Sequence, residues 1–246
     1  MGRRYKKAPV LEVLCEFRFK PGSSWDLTVP GLVYERIRDL FPKKREVKLS
    51  SFLIPESGGI PQVVSQNAVE FFREDGKVLV RLAENYLRVN HLRPYSSWQE
   101  FFPLIEKAFV SYREVADTLH LERLGLRYIN RVEIPGKEIR LEEYFNVRPY
   151  FGVDVLQTCV AFIAGGVFLF DGGRDSMKIQ LTDTGSGVPD VSAFILDLDY
   201  FLAVPEKVSL EDVLGWIEQA HARIGQVFEG CITEKLRALF EEDDES

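Results

Sequence analysis

The alternation in Leu121-Glu122-Arg123-Leu124-Gly125-Leu126-Arg127-Tyr128-Ile129-Asn130-Arg131-Val132-Glu133-Ile134 constrains this chain more than any other stretch, because it writes one β-strand with two opposed faces. Successive strand side chains point to opposite sides, so Leu124, Leu126, Tyr128, Val132 and Ile134 face one way. Arg123, Arg127, Arg131 and Glu133 face the other. The first face requires a core to pack against. The second requires anionic neighbours, solvent or an anionic ligand.

The rest of the chain supplies partners for such a strand. Leu11, Val13, Cys15, Phe17 and Phe19 alternate with Glu12, Leu14, Glu16 and Arg18, which predicts a first strand with one apolar and one mostly charged face. Pro30, Leu32, Val33, Ile37, Leu40 and Phe41 recur at helical spacing, and Pro42 closes that helix. Extended runs follow at Val47 to Ile54, Gln62 to Phe72, Lys77 to Ala83 and Tyr86 to Leu92. The turn signals Glu74-Asp75-Gly76 and Glu84-Asn85 make the last three an antiparallel meander. Ser97 stands three residues before Glu100 in a capping-box arrangement, and Phe101, Ile105, Phe109 and Tyr112 continue as the stripe of a long helix.

The order of elements then begins again. After the arginine strand, Leu141 to Phe145 predicts a short helix, and Val153 to Ile163, Val167 to Phe170, Met177 to Thr182 and Ala193 to Leu202 predict four strands. Ser209 with Asp212 repeats the capping pattern ahead of Val213, Leu214, Ile217, Ile224, Val227 and Phe228. Ser97 and Ser209, and the strand starts near Val10 and Glu122, share one offset. The expectation is an α+β fold of two pseudo-repeated units, each an antiparallel sheet with a long helix on its apolar face. The units are expected at 1–119 and 120–240, sharing a core or a sheet, and 241–246 is expected to be an acidic, disordered tail.

Composition narrows the function classes. With 246 residues, 46% hydrophobic and 28% charged, the chain can bury a sizeable core. No apolar run is long enough to cross a bilayer, and the basic start is followed by Pro9, Glu12, Glu16 and Arg18 where a signal peptide needs apolar residues, so a cytoplasmic protein is expected. A net charge of −7 repels nucleic acid on average, so phosphate binding would have to be local. Cys15, Cys159 and Cys231 are isolated from one another and from His91, His120 and His221, which reads as free thiols and no metal site.

Three residue sets can carry chemistry. The glycine clusters at Gly165-Gly166, Asp171-Gly172-Gly173 and Gly185-Ser186-Gly187 fall between strands and lack phosphate-loop spacing, so they read as hairpins. Glu12 with Glu16, and Asp197 with Asp199, each share a strand face and suit either a cation, an acid–base pair or ion pairing with Arg127 and Arg131. Left unpaired, the arginines would instead make a pocket for a carboxylate, phosphate or acidic peptide. Arg123, Arg127, Asn130, Arg131, Glu12, Glu16, Asp197 and Asp199 are therefore the candidate binding residues, and no catalytic or metal-ligating set is expected. His221 sits beside the stripe of the last helix, where a boundary histidine with one hydrogen bond is expected.

The chain resembles a sporadically distributed family of uncharacterised bacterial proteins of similar length. The likeness rests on Tyr5-Lys6-Lys7-Ala8-Pro9-Val10-Leu11-Glu12-Val13 with Phe17-Arg18-Phe19, on Arg123 through Arg131, and on His221-Ala222-Arg223-Ile224 with Phe228-Glu229 and Ile232-Thr233. This resemblance implies an accessory gene, such as one for phage defence or a toxin–antitoxin pair, and brings no activity or cofactor. In length and in its two α+β halves the chain is also similar to RNA-processing proteins of CRISPR systems, from which its acidic charge and hairpin glycines depart. The reading taken from the sequence is a non-enzymatic binding protein that uses a sheet face or strand edge to hold a protein partner or another copy of itself. A small-ligand or phosphate-directed enzyme on the charged face is the competing reading.

Overall fold

A computed structural model describes residues 3–21, 25–53, 62–116, 120–150 and 161–242, with the backbone alone described at 50–53 and 62–64. Among the described residues, nine strands and four helices make it an α+β protein. The strands are β1 (Val10–Phe19), β2 (Lys43–Leu53), β3 (Gln62–Phe72), β4 (Val78–Ala83), β5 (Tyr86–Leu92), β6 (Leu121–Pro135), β7 (Ile163–Phe170), β8 (Asp175–Thr184) and β9 (Val191–Leu202). The helices are α1 (Val29–Ile37), α2 (Trp98–Arg113), α3 (Val213–Cys231) and α4 (Glu234–Phe240). Hydrogen bonding orders the antiparallel strands β2-β3-β4-β5-β1-β6-β9-β8-β7. Cys159, most of the extended run Val153 to Ile163, and residues 243–246 of the expected acidic tail lie outside the described residues.

The chain divides into two compact units, one made of Leu14–Leu92 with Ser96–Leu124, the other of Met1–Val13, Arg93–Tyr95 and Gly125–Ser246. In the first unit the meander forms as its turns predict: Glu84-Asn85 closes a two-residue hairpin that pairs Ala83 with Tyr86, and Asn85 supplies the positive φ of 56°. The inner sheet face carries Val13-spaced apolar residues onward from Cys15, with Phe17 stacked on Phe109 at 4.9 Å, Phe19 on Tyr112 at 5.2 Å and Phe71 on Tyr34 at 5.3 Å. Phe17, Phe19, Phe71, Phe109 and Tyr112 are buried, and each such side chain stabilises by about 1.5–3 kcal/mol, so the helices are held by their stripes and not by propensity. Ser97 caps α2 by accepting the Glu100 N–H at 3.2 Å. Pro103 lies inside α2, where it leaves the Gln99 carbonyl without its helical donor.

In the second unit the core face of β6 holds Leu124's successors Leu126, Tyr128, Val132 and Ile134, all buried. The α3 stripe of Val213, Trp216, Ile217, Ala220 and Ile224 is buried, with the Trp216 ring against Tyr200 at 5.6 Å. This helix starts at Val213, one turn after the Ser209 pattern predicts. Ser209 closes a separate turn there, accepting the Asp212 N–H at 3.3 Å and donating to its carboxylate at 2.8 Å. Thr233 caps α4, and the N-terminal segment lies against its end, with the Lys6 N–H on the Glu241 carbonyl at 2.8 Å and Tyr5 bridged to Glu242. Among the described residues no helix is long and apolar enough to cross a membrane.

Candidate functional site

The first unit carries a row of charge on the sheet face opposite its helices. Arg45, Glu70, Arg81 and Arg88 are successive cross-strand partners on β2, β3, β4 and β5, set opposite one another by the three pairing registers and so on one face of the sheet. Glu16 on β1 continues the row, accepting from Arg88 Nη2 at 2.7 Å, and Arg123 on β6 reaches Glu16 at 3.3 Å. Arg18 donates to Glu16 at 2.8 Å, and the Tyr86 O–H donates to the same carboxylate at 3.2 Å. Glu70 is shared between Arg45 Nε at 2.7 Å and the Arg81 guanidinium, whose Nε also lies at 2.7 Å.

Five arginines therefore surround two buried glutamates. Burial by itself would raise both carboxyls, but the arginines outweigh it and hold Glu16 and Glu70 below the usual range. Two carboxylates against five guanidinium groups leave the row positive, and Arg81 and Arg88 are directly opposed in register, a like-charge pairing that is unfavourable. Arg45 and Arg18 keep 62% and 51% of their side-chain surface exposed, so the row is reachable from its ends.

The second unit arranges the charges of β6 differently, Arg127 and Arg131 each being engaged by its own neighbours. Arg127 forks onto Asp197 with Nε and Nη2 at 2.7 and 2.6 Å. Asp199 stands in register between Arg127 on β6 and Lys178 on β8, and Arg127 also feels the charge of Glu12. Arg131 donates to Glu133 at 2.9 Å and to the carbonyls of Gly185 and Ser186 at 3.0 and 3.2 Å. Asn130 is buried on the opposite face of β6, where its Nδ2 donates to the Leu196 carbonyl at 3.1 Å. Of the sequence candidates, Glu16 and Arg123 thus belong to the arginine row, Arg127, Asp197 and Asp199 to a paired patch, and Asn130 to the core. No group of three or more His, Cys, Asp or Glu residues among those described is placed to hold a metal ion.

Sequence reasoning missed Arg45, Glu70, Arg81 and Arg88. Part of the signal was present: Arg81 and Arg88 are lone arginines between apolar neighbours, and the two-residue turn at Glu84-Asn85 alone sets Arg81 opposite Arg88, whereas Arg45 is masked by its charged neighbours Lys44 and Glu46. Two further features were not singled out. Among the described strands β7 lies at one edge of the sheet and exposes Ile163, Val167 and Leu169 at 72%, 61% and 73%, and no charged residue lies between Ile163 and Phe170. The other edge, β2, begins Lys43-Lys44-Arg45 and carries Lys48, the charges that discourage edge pairing. The second feature is a buried carboxylate at Asp175, which accepts from Trp216 Nε1 at 3.0 Å, Tyr200 O–H at 2.9 Å and Arg174 at 3.1 and 2.6 Å.

His221 is hydrogen-bonded through Nδ1 to the Tyr128 hydroxyl at 2.9 Å, and desolvation pushes its pKa down to about 4. Its imidazole is neutral at physiological pH. Cys15 and Cys231 are buried free thiols, raised by burial, so neither is a reactive thiolate. No protein-family model matches the chain, and no curated protein matches it.

Proposed function

We propose that this chain is a non-enzymatic protein-binding module that holds an acidic segment of a partner on the arginine row of its first unit. The observation that carries the reading is the directly opposed pair Arg81 and Arg88, whose mutual repulsion a partner carboxylate placed between them relieves. Exposed Arg–carboxylate contacts contribute about 0.2–1 kcal/mol each, so a partner held by the row alone binds weakly and is released by salt.

Two features favour a protein over a nucleic acid. Glu16 and Glu70 interrupt the row and would repel a continuous chain of phosphates. Two aromatic rings beside the row are already covered by arginines: Tyr86 carries the Arg88 guanidinium at 5.2 Å and Arg18 at 6.0 Å, and Phe72 carries that of Arg45 at 4.6 Å, so these faces are taken and offer bases no stacking platform. Within this reading the protein is a cytoplasmic accessory factor of the kind that serves phage defence or a toxin–antitoxin pair. Its two halves are one unit used twice, with the binding row kept in only one of them.

Fluorescence anisotropy of a labelled glutamate-rich peptide tests the proposal. Binding at low salt that disappears in the Arg18→Glu/Arg45→Glu double variant is expected. Equal binding of a neutral peptide of the same length, or binding that survives in the variant, contradicts it. Tighter binding of single-stranded RNA than of the peptide would reassign the face to nucleic acid.

The uncharged β7 edge favours a second reading, self-association by strand pairing. An antiparallel two-fold about Val167 sets Leu169 against Gly165 of the other copy, a large side chain over a residue without one. Sedimentation should show a dimer that Val167→Lys returns to monomer. A wild-type monomer at every concentration removes this reading.

A further inference from the structure

Asp171, Arg174, Tyr200, Gln219, Arg223 and Gln226 line a groove of about 450 Å³ between the β7–β8 loop and α3. It involves none of the arginine row. Its foundation is Asp175, which is fully buried and holds Arg174 by a two-point fork while also taking the Tyr200 O–H and the Trp216 N–H. Arg174 is thereby fixed in direction before any ligand arrives. Among the described residues its Nη1 makes no hydrogen bond, since the fork and the contact to Asp171 use only Nε and Nη2.

Across the groove, Gln219, Arg223 and Gln226 project from one side of α3, four and then three residues apart. Arg223 donates from Nη1 to Gln226 Oε1 at 3.3 Å, and its guanidinium carbon lies 5.6 Å from the centre of the Phe170 ring. Among the described residues Arg223 Nε, Gln219 Nε2 and Gln226 Nε2 have no acceptor. The two guanidinium groups meet at a single carboxylate, Asp171, at 3.1 Å from Arg174 and 3.6 Å from Arg223. Asp171 belongs to a loop of three consecutive positive φ angles, 48°, 66° and 89°, the last two at Gly172 and Gly173. It occupies the place of an anion without being anchored as Asp175 is.

From this geometry we propose that the groove binds the phosphate group of a small molecule between Arg174 and Arg223, with Asp171 as the internal carboxylate that the phosphate displaces. A phosphate offers three oxygens to donors arriving from a loop and from two turns of a helix, whereas a carboxylate offers two in one plane. The space exceeds what a phosphate alone fills, so the ligand carries a small organic body that lies along Gln219 and Gln226.

Isothermal titration with phenyl phosphate, inorganic phosphate and acetate tests the assignment on wild type, Arg223→Gln and Asp171→Asn. Neither substitution removes a partner of the buried Asp175, and unchanged thermal unfolding verifies that both variants are folded. Saturable phenyl phosphate binding is expected, roughly tenfold weaker in Arg223→Gln and several-fold tighter in Asp171→Asn, where the internal competitor has lost its charge. No saturable binding by wild type and Asp171→Asn overturns the site, as does equal binding by Arg223→Gln. Acetate binding as tightly as phosphate overturns the choice of ligand.

Discussion

Arg81 and Arg88 stand directly opposite one another on β4 and β5, yet each turns to a different carboxylate, Arg81 to Glu70 and Arg88 to Glu16. The two glutamates, shared among five arginines, neutralise the row incompletely. That arrangement is stable only while both glutamates are ionised.

Glu16→Gln should therefore cost about 3 kcal/mol, because it leaves Arg88, Arg18 and Arg123 without the buried carboxylate they share. Urea unfolding should show a lower midpoint with an unchanged slope. Replacing Arg88 by Leu in the same chain should recover part of the loss, as expected of coupled neighbours.

The acid limb of stability should report the same pairs. Glu16 and Glu70 are held below their ordinary value of 4.5, so the unfolded chain binds more protons than the folded one just below that pH. Their contribution is complete above pH 4.5 and is lost as pH falls through the lower folded values. Glu70→Gln should flatten the stability curve in that window, measured by urea midpoints at successive pH values.

His221 acts over a higher window. Its pKa falls from 6.5 to about 4 in the folded chain, so stability is fully present above pH 6.5 and declines as pH drops toward 4. The loss grows to about 3 kcal/mol as pH reaches the folded value of about 4. An NMR titration should find the His221 ring uncharged at pH 5, and His221→Phe should remove the decline between pH 6.5 and 4.

Tyr112 is fully buried against Phe19, and among the described residues its hydroxyl has no hydrogen-bond partner. Tyr112→Phe should stabilise the protein by about 1 kcal/mol, the cost of burying an unsatisfied hydroxyl. A thermal midpoint that drops would show that the hydroxyl is bonded after all.

Local signals made much of this fold legible. Ser97 and Glu100 announce the start of α2, and Glu74-Asp75-Gly76 with Glu84-Asn85 register the meander. The alternation of β6 correctly separates Leu126, Val132 and Ile134 from Arg127 and Arg131. The same alternation places Asn130 with the core, although its chemistry suggested a binding role. What the sequence cannot convey is non-sequential pairing: Glu16 meets Arg88 and Arg123 only because β1 lies between β5 and β6. Asp175, Tyr200 and Trp216 are likewise brought together by packing, with no motif in their spacing to reveal it.

The arginine Nε–H signals of the isotopically labelled protein, followed during titration with a glutamate-rich peptide, test the central claim most directly. The account predicts that the signals of Arg45, Arg81 and Arg88 move together, while those of Arg127 and Arg131, already bonded to Asp197 and Glu133, stay in place. Movement of Arg127 and Arg131 with Arg81 and Arg88 unmoved would contradict it.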